Sequence, residues 1–305
     1  MQNTDYADLT TEETNPRSSR LDQMSTEQIL RVMNEEDRLV PEVVARAIPE
    51  IATAVDMIAA RMAMGGRLLY VGAGTSGRLG ILDAAECVPT FGVAADEISA
   101  MIAGGFGAVF HSAEAAEDDE SSGAADVAKS ITERHVVVGI SASGVTPYVR
   151  GALKAARNAG AGTVAIVCNH ADKLDLDVDV TISLPVGPEV LTGSTRLKAG
   201  TAQKLVLNMI STATMVKLGK AYDNFMVDMQ ATNRKLKRRA VRIVSTATGL
   251  DIDESGRLLD EAGGSIKMAI VMALAAVDRH VAEHALELTS GHTRDAVQLA
   301  VEHVR

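Results

Sequence analysis

The spacing of apolar positions changes several times along the chain, and each change marks an element. STEQILRVMNEEDRLV, residues 25–40, repeats its apolar residues every three to four positions, which predicts a helix. Ser25 is followed three positions later by Gln28, the spacing of a capping box. PEVVARAIPEIATAVDMIAARMAMGG, residues 41–66, keeps the same period and predicts one longer helix closed by Gly65 and Gly66. The pattern then alternates between two kinds of segment. RLLYVGAG, EISAMIAGG, HVVVGISASG, GTVAIVCN and VTISLPV read as strands. TSGRLGILDAAE, HSAEAAEDDESSGAADVAKS and TPYVRGALKAARNAG read as the helices between them. Such alternation implies a parallel sheet with helices on both faces, an α/β fold of three αβα layers. GSTRLKAGTAQKLVLNMISTATMVKLG, residues 193–219, predicts a long amphipathic helix. From about residue 246, DIDESGRLLDEAGG, SIKMAIVMALAAV and TRDAVQLAVEHV predict short helices punctuated by glycine pairs. The expected organisation is a polar arm at 1–25 that orders only against something else, an α/β domain at 26–245 and a small helical domain at 246–305.

Composition narrows the function. Of the 305 residues, 47 % are hydrophobic, with no Trp and only four Tyr and four Phe. Aliphatic side chains suit buried parallel strands, and the scarcity of rings speaks against nucleic-acid binding by stacking. The formal net charge of −10 argues against broad attraction to nucleic acid or to a membrane surface. It leaves room for an anionic small molecule, because free N–H groups at a helix start hold a phosphate locally. Two cysteines, Cys87 and Cys168, are too few for a disulfide scaffold, and both read as buried free thiols. No segment reads as a targeting peptide or a membrane span, so a soluble cytoplasmic protein is expected.

Two loops carry candidate chemistry. GAGTSG, residues 72–77, matches the dinucleotide fingerprint G-x-G-x-x-G. That fingerprint also requires an acidic residue at the end of the next strand. Here that strand ends in Gly104-Gly105, and Asp96 and Glu97 precede it. Thr75 and Ser76 instead place two hydroxyls at the helix start. A second strand delivers Ser141-Ala-Ser143-Gly144-Val-Thr146 to a helix with Pro147 in its first turn. One such loop would be read as plain N-capping. Two of matching design at one sheet edge predict capture of a phosphate monoester.

GAGTSGRLG together with SASGVT resembles the sugar isomerase (SIS) class of phosphosugar-binding domains. GPEVLTGSTRLKAGTAQK, residues 187–204, is similar to the signature shared by N-acetylmuramic acid 6-phosphate etherases and glucokinase regulatory proteins. LDAAECVPTFG, IAGG followed by AEDDE, and TEETNPRSSRLD with NEED resemble the etherases specifically. The likeness covers nearly the whole chain. It implies an SIS fold, a homodimer with its site near the interface, a phosphosugar substrate and no metal or redox cofactor. The implied reaction removes D-lactate from carbon 3 by elimination and then hydration. Its product is N-acetylglucosamine 6-phosphate, so it serves recycling of cell-wall sugars.

That chemistry needs an acid and a base in one pocket. Glu86 sits among Ala-Ala-Glu-Cys-Val-Pro, an apolar setting that would raise its pKa. Glu117 opens the run Glu-Asp-Asp-Glu, which by itself reads as a solvated helix face. The resemblance implies that Glu86 donates the proton to the leaving oxygen and that Glu117 is the second catalytic carboxylate, the base at carbon 2. It implies substrate contacts at Gly74, Thr75, Ser76, Ser141, Ser143, Gly144, Thr146, Ser194 and Lys198. For Lys198 and its neighbour Arg196, a ligand contact and a helix-start ion pair or subunit contact stand as equal readings.

Other readings stay in view. A non-catalytic phosphosugar sensor or an aldose–ketose isomerase would use the same loops. His280-Val-Ala-Glu283-His284 spells a zinc-protease motif, but no third ligand is identifiable, and a polar helix face is expected. The basic run Arg234–Arg239 reads as a solvated face or a subunit contact rather than a nucleic-acid patch.

Overall fold

A computed structural model describes residues 9–231 and 233–304. They form two compact units, one of residues up to 85 together with 95–212, the other of 86–94 together with 213 onward. The expected division at 245/246 falls inside a helix of the second unit. The first eight residues of the expected arm lie outside the described residues.

In the first unit, α1 (Thr26–Asp37) opens with the expected capping box, Ser25 and Gln28 bonding each other's backbone N–H reciprocally. The long helix expected over 41–66 is two helices, α2 (Val40–Arg46) and α3 (Ile48–Ala63). Pro49 causes the break, because it has no N–H to donate and its ring crowds the carbonyl one turn earlier, so it is accommodated only in the first turn of a new helix. Gly65 and Gly66 close α3 as expected, donating back to Met62 and Arg61.

The sheet follows. It comprises β1 (Leu68–Gly72), β2 (Ile98–Ile102), β3 (Val136–Ser141), β4 (Gly162–Val167) and β5 (Val180–Ser183). All are parallel, in the order β2-β1-β3-β4-β5. The three central strands are buried at every position, whereas β2 and β5 at the edges are partly exposed. Helices α4 (Gly74–Phe91), α5 (Glu120–Ala128), α6 (Pro147–Asn158) and α7 (Lys198–Lys217) alternate with the strands. The helical stretch expected over 111–130 begins only at Glu120, after two short 3-10 turns.

Helices α5 and α6 meet backbone to backbone. A Cβ placed on Gly151 would lie 2.0 Å from the Glu120 carbonyl oxygen, and one on Gly123 would lie 1.9 Å from that of Tyr148. Gly151→Ala is therefore expected to cost about 1–3 kcal/mol through overpacking and to lower the midpoint of thermal unfolding by several degrees. An unchanged midpoint would contradict this contact.

The second unit contains a hairpin, β6 (Ala221–Tyr222) and β7 (Phe225–Met226), then α8 (Arg234–Thr248), α9 (Ile252–Glu261), α10 (Ile266–Ala275), α11 (Arg279–Leu288) and α12 (Thr293–Val304). The apolar α10 is the centre of its core. Buried Lys267 is balanced there by Asp228, 2.6 Å away. His280, Glu283 and His284 lie exposed along α11.

Candidate functional site

Strand order β2-β1-β3-β4-β5 reverses direction between β1 and β3, and a crevice opens beyond the carboxyl ends of those two strands. Both hydroxyl-bearing loops emerge there. They line one cleft of about 290 Å³: Ala73, Gly74, Thr75 and Ser76 come from the first, and residues 140–143 with Thr146 and Pro147 from the second. Gly74 starts α4 with φ +51°, a conformation that favours glycine. The starts of α4 and α6 thus border one space, where their free N–H groups and positive dipole ends favour an anion.

The second loop is held in shape by its own side chains. Ser141 Oγ accepts the Gly144 N–H at 2.9 Å and pairs with Thr146 Oγ1 at 2.8 Å. Ser143 Oγ accepts the Val145 N–H at 3.2 Å. Ser76 Oγ donates to buried Gln203 Oε1 of α7 at 3.0 Å. Most of these hydroxyls also face the cleft, so a bound phosphate meets positioned donors. Loss of a hydrogen bond to a charged group costs about 1.5–3 kcal/mol. Ser141→Ala is accordingly expected to raise KM for a phosphosugar roughly 10- to 100-fold with little change in kcat, and an unaltered KM would remove Ser141 from the binding set.

Glu117 lines the same cleft. Its backbone carbonyl accepts the Tyr148 N–H at 3.0 Å, which ties it to the first turn of α6. Partial desolvation, with the charges of Asp118 and Glu114 adding to it, pushes its carboxyl above the usual carboxylate range. Two positions on, Asp119 goes the other way. It caps α5, accepting from the Ser122 and Ser121 hydroxyls and the Ser122 N–H, and its pKa falls to about 2. The acidic run therefore holds two carboxyls shifted in opposite directions, Asp119 by its capping bonds and Glu117 by desolvation.

Four expected site residues, Gly144, Ser194, Lys198 and Glu86, are not among those lining the cleft; Gly144 is buried within the second loop. Lys198 is 2 % exposed, and its ammonium lies 2.5 Å from Glu36, itself 3 % exposed. Burial opposes ionisation of Glu36, yet Lys198, Asn15 and Arg17 together hold it below the usual carboxylate range. Of its two readings, Lys198 thus takes the ion pair, which uses up the charge it would offer a ligand. Glu86 is exposed, not enclosed: on a helix its sequence neighbours point to other faces, and buried Ala84 and Cys87 do not surround it. It is not among the residues lining the cleft. Ser194 is half-buried between Gly193 and Thr195, which do line it.

Sequence reasoning missed several residues. Glu12 lines the cleft, because residues 9–25 of the arm pack onto their own chain. Thr10 donates to Asn169 Oδ1 from both its N–H (2.9 Å) and its hydroxyl (2.7 Å). Asn169 Nδ2 donates onward to the carbonyls of Ala142 and Ser143 at 3.2 and 3.1 Å. Asn169 thus fastens arm to loop across 159 residues of sequence, a pairing without local pattern. Only the motif TEETNPRSSRLD hinted at it. Where a dinucleotide site would have an acidic residue, β2 runs into Gly104-Gly105, and Asp96 pairs with Arg67 at 2.9 Å before that strand.

Known proteins resemble this chain. Residues 50–157 match the family model of the glucokinase regulatory protein N-terminal SIS domain, and residues 109–213 match that of the SIS domain. The chain is 52 % identical to an N-acetylmuramic acid 6-phosphate etherase of Pectobacterium atrosepticum, covering 97 % of this chain and 98 % of the relative. It is 55 % identical to one of Symbiobacterium thermophilum, covering 88 % and 90 %. A phosphoheptose isomerase from Francisella tularensis superposes with a TM-score of 0.50 over 63 % of this chain and all of the other, at 17 % identity. That last likeness concerns the fold alone.

Proposed function

This chain belongs to the family of N-acetylmuramic acid 6-phosphate etherases, and from that membership we propose that it is a carbon–oxygen lyase releasing D-lactate from N-acetylmuramic acid 6-phosphate. One observation carries the assignment to this cleft: Glu117, with its raised pKa, shares the cleft with both hydroxyl-bearing loops. The loops hold the 6-phosphate. The open-chain aldehyde makes the carbon 2 proton acidic. Glu117 removes it, and a carboxyl of raised pKa is a stronger base than an ordinary one. The carbon 3–oxygen bond breaks, and Glu86 protonates the departing lactate oxygen. Water then adds at carbon 3 of the unsaturated intermediate while a proton returns to carbon 2, giving N-acetylglucosamine 6-phosphate.

The residue roles rest on the etherase motifs, and the enclosing of Glu86 is assigned to assembly. The protein works as a cytoplasmic homodimer with residues 26–245 as the catalytic portion. Ile48, Met64, Leu82 and Met209 are exposed apolar residues of the first unit and suit a subunit contact. Light scattering should give twice the chain mass; a single-chain mass would remove the dimer.

Incubation with N-acetylmuramic acid 6-phosphate should yield equimolar D-lactate and N-acetylglucosamine 6-phosphate. A ketose product without lactate would point to an isomerase, and binding without turnover to a sensor. Glu86→Gln should still bind a phosphosugar but barely release lactate. Near-normal turnover by that variant would take Glu86 out of the mechanism.

A further inference from the structure

The arm is pinned on both sides of Glu12. Leu9 is fully buried, Thr11 is 1 % exposed and Asn15 is 6 % exposed. Thr10 and Thr11 bond to buried Asn169, and Asn15 Nδ2 donates to the Pro188 carbonyl at 3.2 Å. The Glu12 N–H donates to the Leu9 carbonyl at 3.0 Å, which closes a turn. A terminal segment stays loose unless it is tied down, and ordering it costs conformational entropy at every residue. These anchors offset that cost. The Glu12 side chain takes no part in the anchoring. It is exposed and lines the cleft. Among the described residues it makes no ion pair or hydrogen bond. The anchors thus hold a carboxylate at the cleft that folding itself does not use.

The chemistry of the cleft says what that carboxylate can meet. The two loops supply hydroxyls and free N–H groups, which suit the phosphate. Among the described residues, the charged groups lining the cleft are three carboxylates, Glu12, Glu117 and Asp118. Glu12 belongs to another wall than the acidic run. Its Oε2 lies 3.7 Å from where a Cβ on Gly193 would stand, and Gly193 and Thr195 line the cleft beside it. An ionised carboxylate only accepts hydrogen bonds. It repels a phosphate and the carboxylate of a lactyl group. What it attracts is a donor, and a phosphosugar carries its donors, chiefly hydroxyls, along the carbon chain.

We propose that Glu12 binds the sugar part of the ligand, its carboxylate accepting hydrogen bonds from hydroxyls of the carbon chain while the loops take the phosphate. This rests on the reading of the cleft as a phosphosugar site. It makes residues 9–15 a wall of that site and gives the cleft a preference for a hydroxyl-bearing phosphate ester over inorganic phosphate.

Titration calorimetry with N-acetylglucosamine 6-phosphate and with inorganic phosphate separates the two halves of the site. Glu12→Ala should bind the sugar phosphate roughly 10- to 100-fold more weakly, the effect of losing a hydrogen bond to a charged group. Its affinity for inorganic phosphate should not fall, because the loops are untouched. In turnover of N-acetylmuramic acid 6-phosphate, its KM should rise by a similar factor with kcat within about twofold, the signature of a contact made equally in ground and transition states. Glu12→Asp keeps the charge and draws it back by one methylene, so it should lose at least about threefold for the sugar phosphate, since hydrogen bonds weaken steeply with distance and angle. Parental affinity for the sugar phosphate in Glu12→Ala, or an equal loss for inorganic phosphate, would overturn the proposal. So would parental affinity in Glu12→Asp, which would mean that the charge acts at a distance and not by contact. A parent protein that binds inorganic phosphate but not the sugar phosphate would overturn the phosphosugar reading itself, and this inference with it.

Discussion

Glu117→Gln should reduce lactate release about 10²- to 10⁴-fold, the usual contribution of a positioned general base. KM should move less than about threefold, because the loops proposed to hold the phosphate are untouched. The variant keeps the size of the side chain and removes its capacity to take a proton. It also keeps the backbone bond from Tyr148 N–H to the Glu117 carbonyl that fixes the loop, so the thermal midpoint should not fall. The pH profile adds a signed expectation. A base works only when ionised, so kcat/KM falls as pH drops through the Glu117 pKa. Desolvation and the charges of Asp118 and Glu114 raise that pKa. The acid limb in the parent should therefore lie above the range of an ordinary carboxylate. A profile flat through that region, or a variant with parental turnover, would show that another group takes the proton.

The second large effect concerns stability. Lys198→Met should destabilise the protein by about 3–5 kcal/mol, the cost of leaving one member of a buried ion pair without its partner. Glu36 would remain buried beside an apolar chain, with only Asn15 and exposed Arg17 to oppose its charge. The double variant Lys198→Met, Glu36→Gln should recover much of that loss, since no uncompensated charge remains. Its KM should resemble the parent's. If Lys198 instead bound the substrate, the double variant would be stable but would bind poorly. Denaturant unfolding and KM, measured on the same preparations, separate the two readings.

These outcomes show what the sequence reveals of this molecule and what it leaves concealed. The two hydroxyl-bearing loops are legible because they combine local signals: a buried strand, small hydroxyl residues and a helix start within a few positions. The capping box at Ser25 and Gln28 is local in the same sense. The parallel sheet follows from the alternation of strand and helix. Other features depend on partners far away in sequence. Lys198 and Glu36 are 162 residues apart, and no periodicity announces their pairing. Glu12 enters the cleft only because Thr10 and Thr11 are bound by Asn169. The setting of Glu86 was misleading for a different reason. Adjacent residues in a helix point about 100° apart, so an apolar neighbourhood in sequence is not one in space. Pro49 was a readable break that the strong apolar period on both sides concealed.

The central claim is that this chain splits its substrate by elimination followed by addition of water. One measurement tests it directly. Turnover of N-acetylmuramic acid 6-phosphate in water enriched in deuterium and oxygen-18 should give N-acetylglucosamine 6-phosphate with deuterium at carbon 2 and oxygen-18 at carbon 3, and D-lactate free of oxygen-18 in its hydroxyl. Oxygen-18 in the lactate hydroxyl instead, with no deuterium at carbon 2, would mean that water attacks the lactyl side of the ether, and would contradict the account.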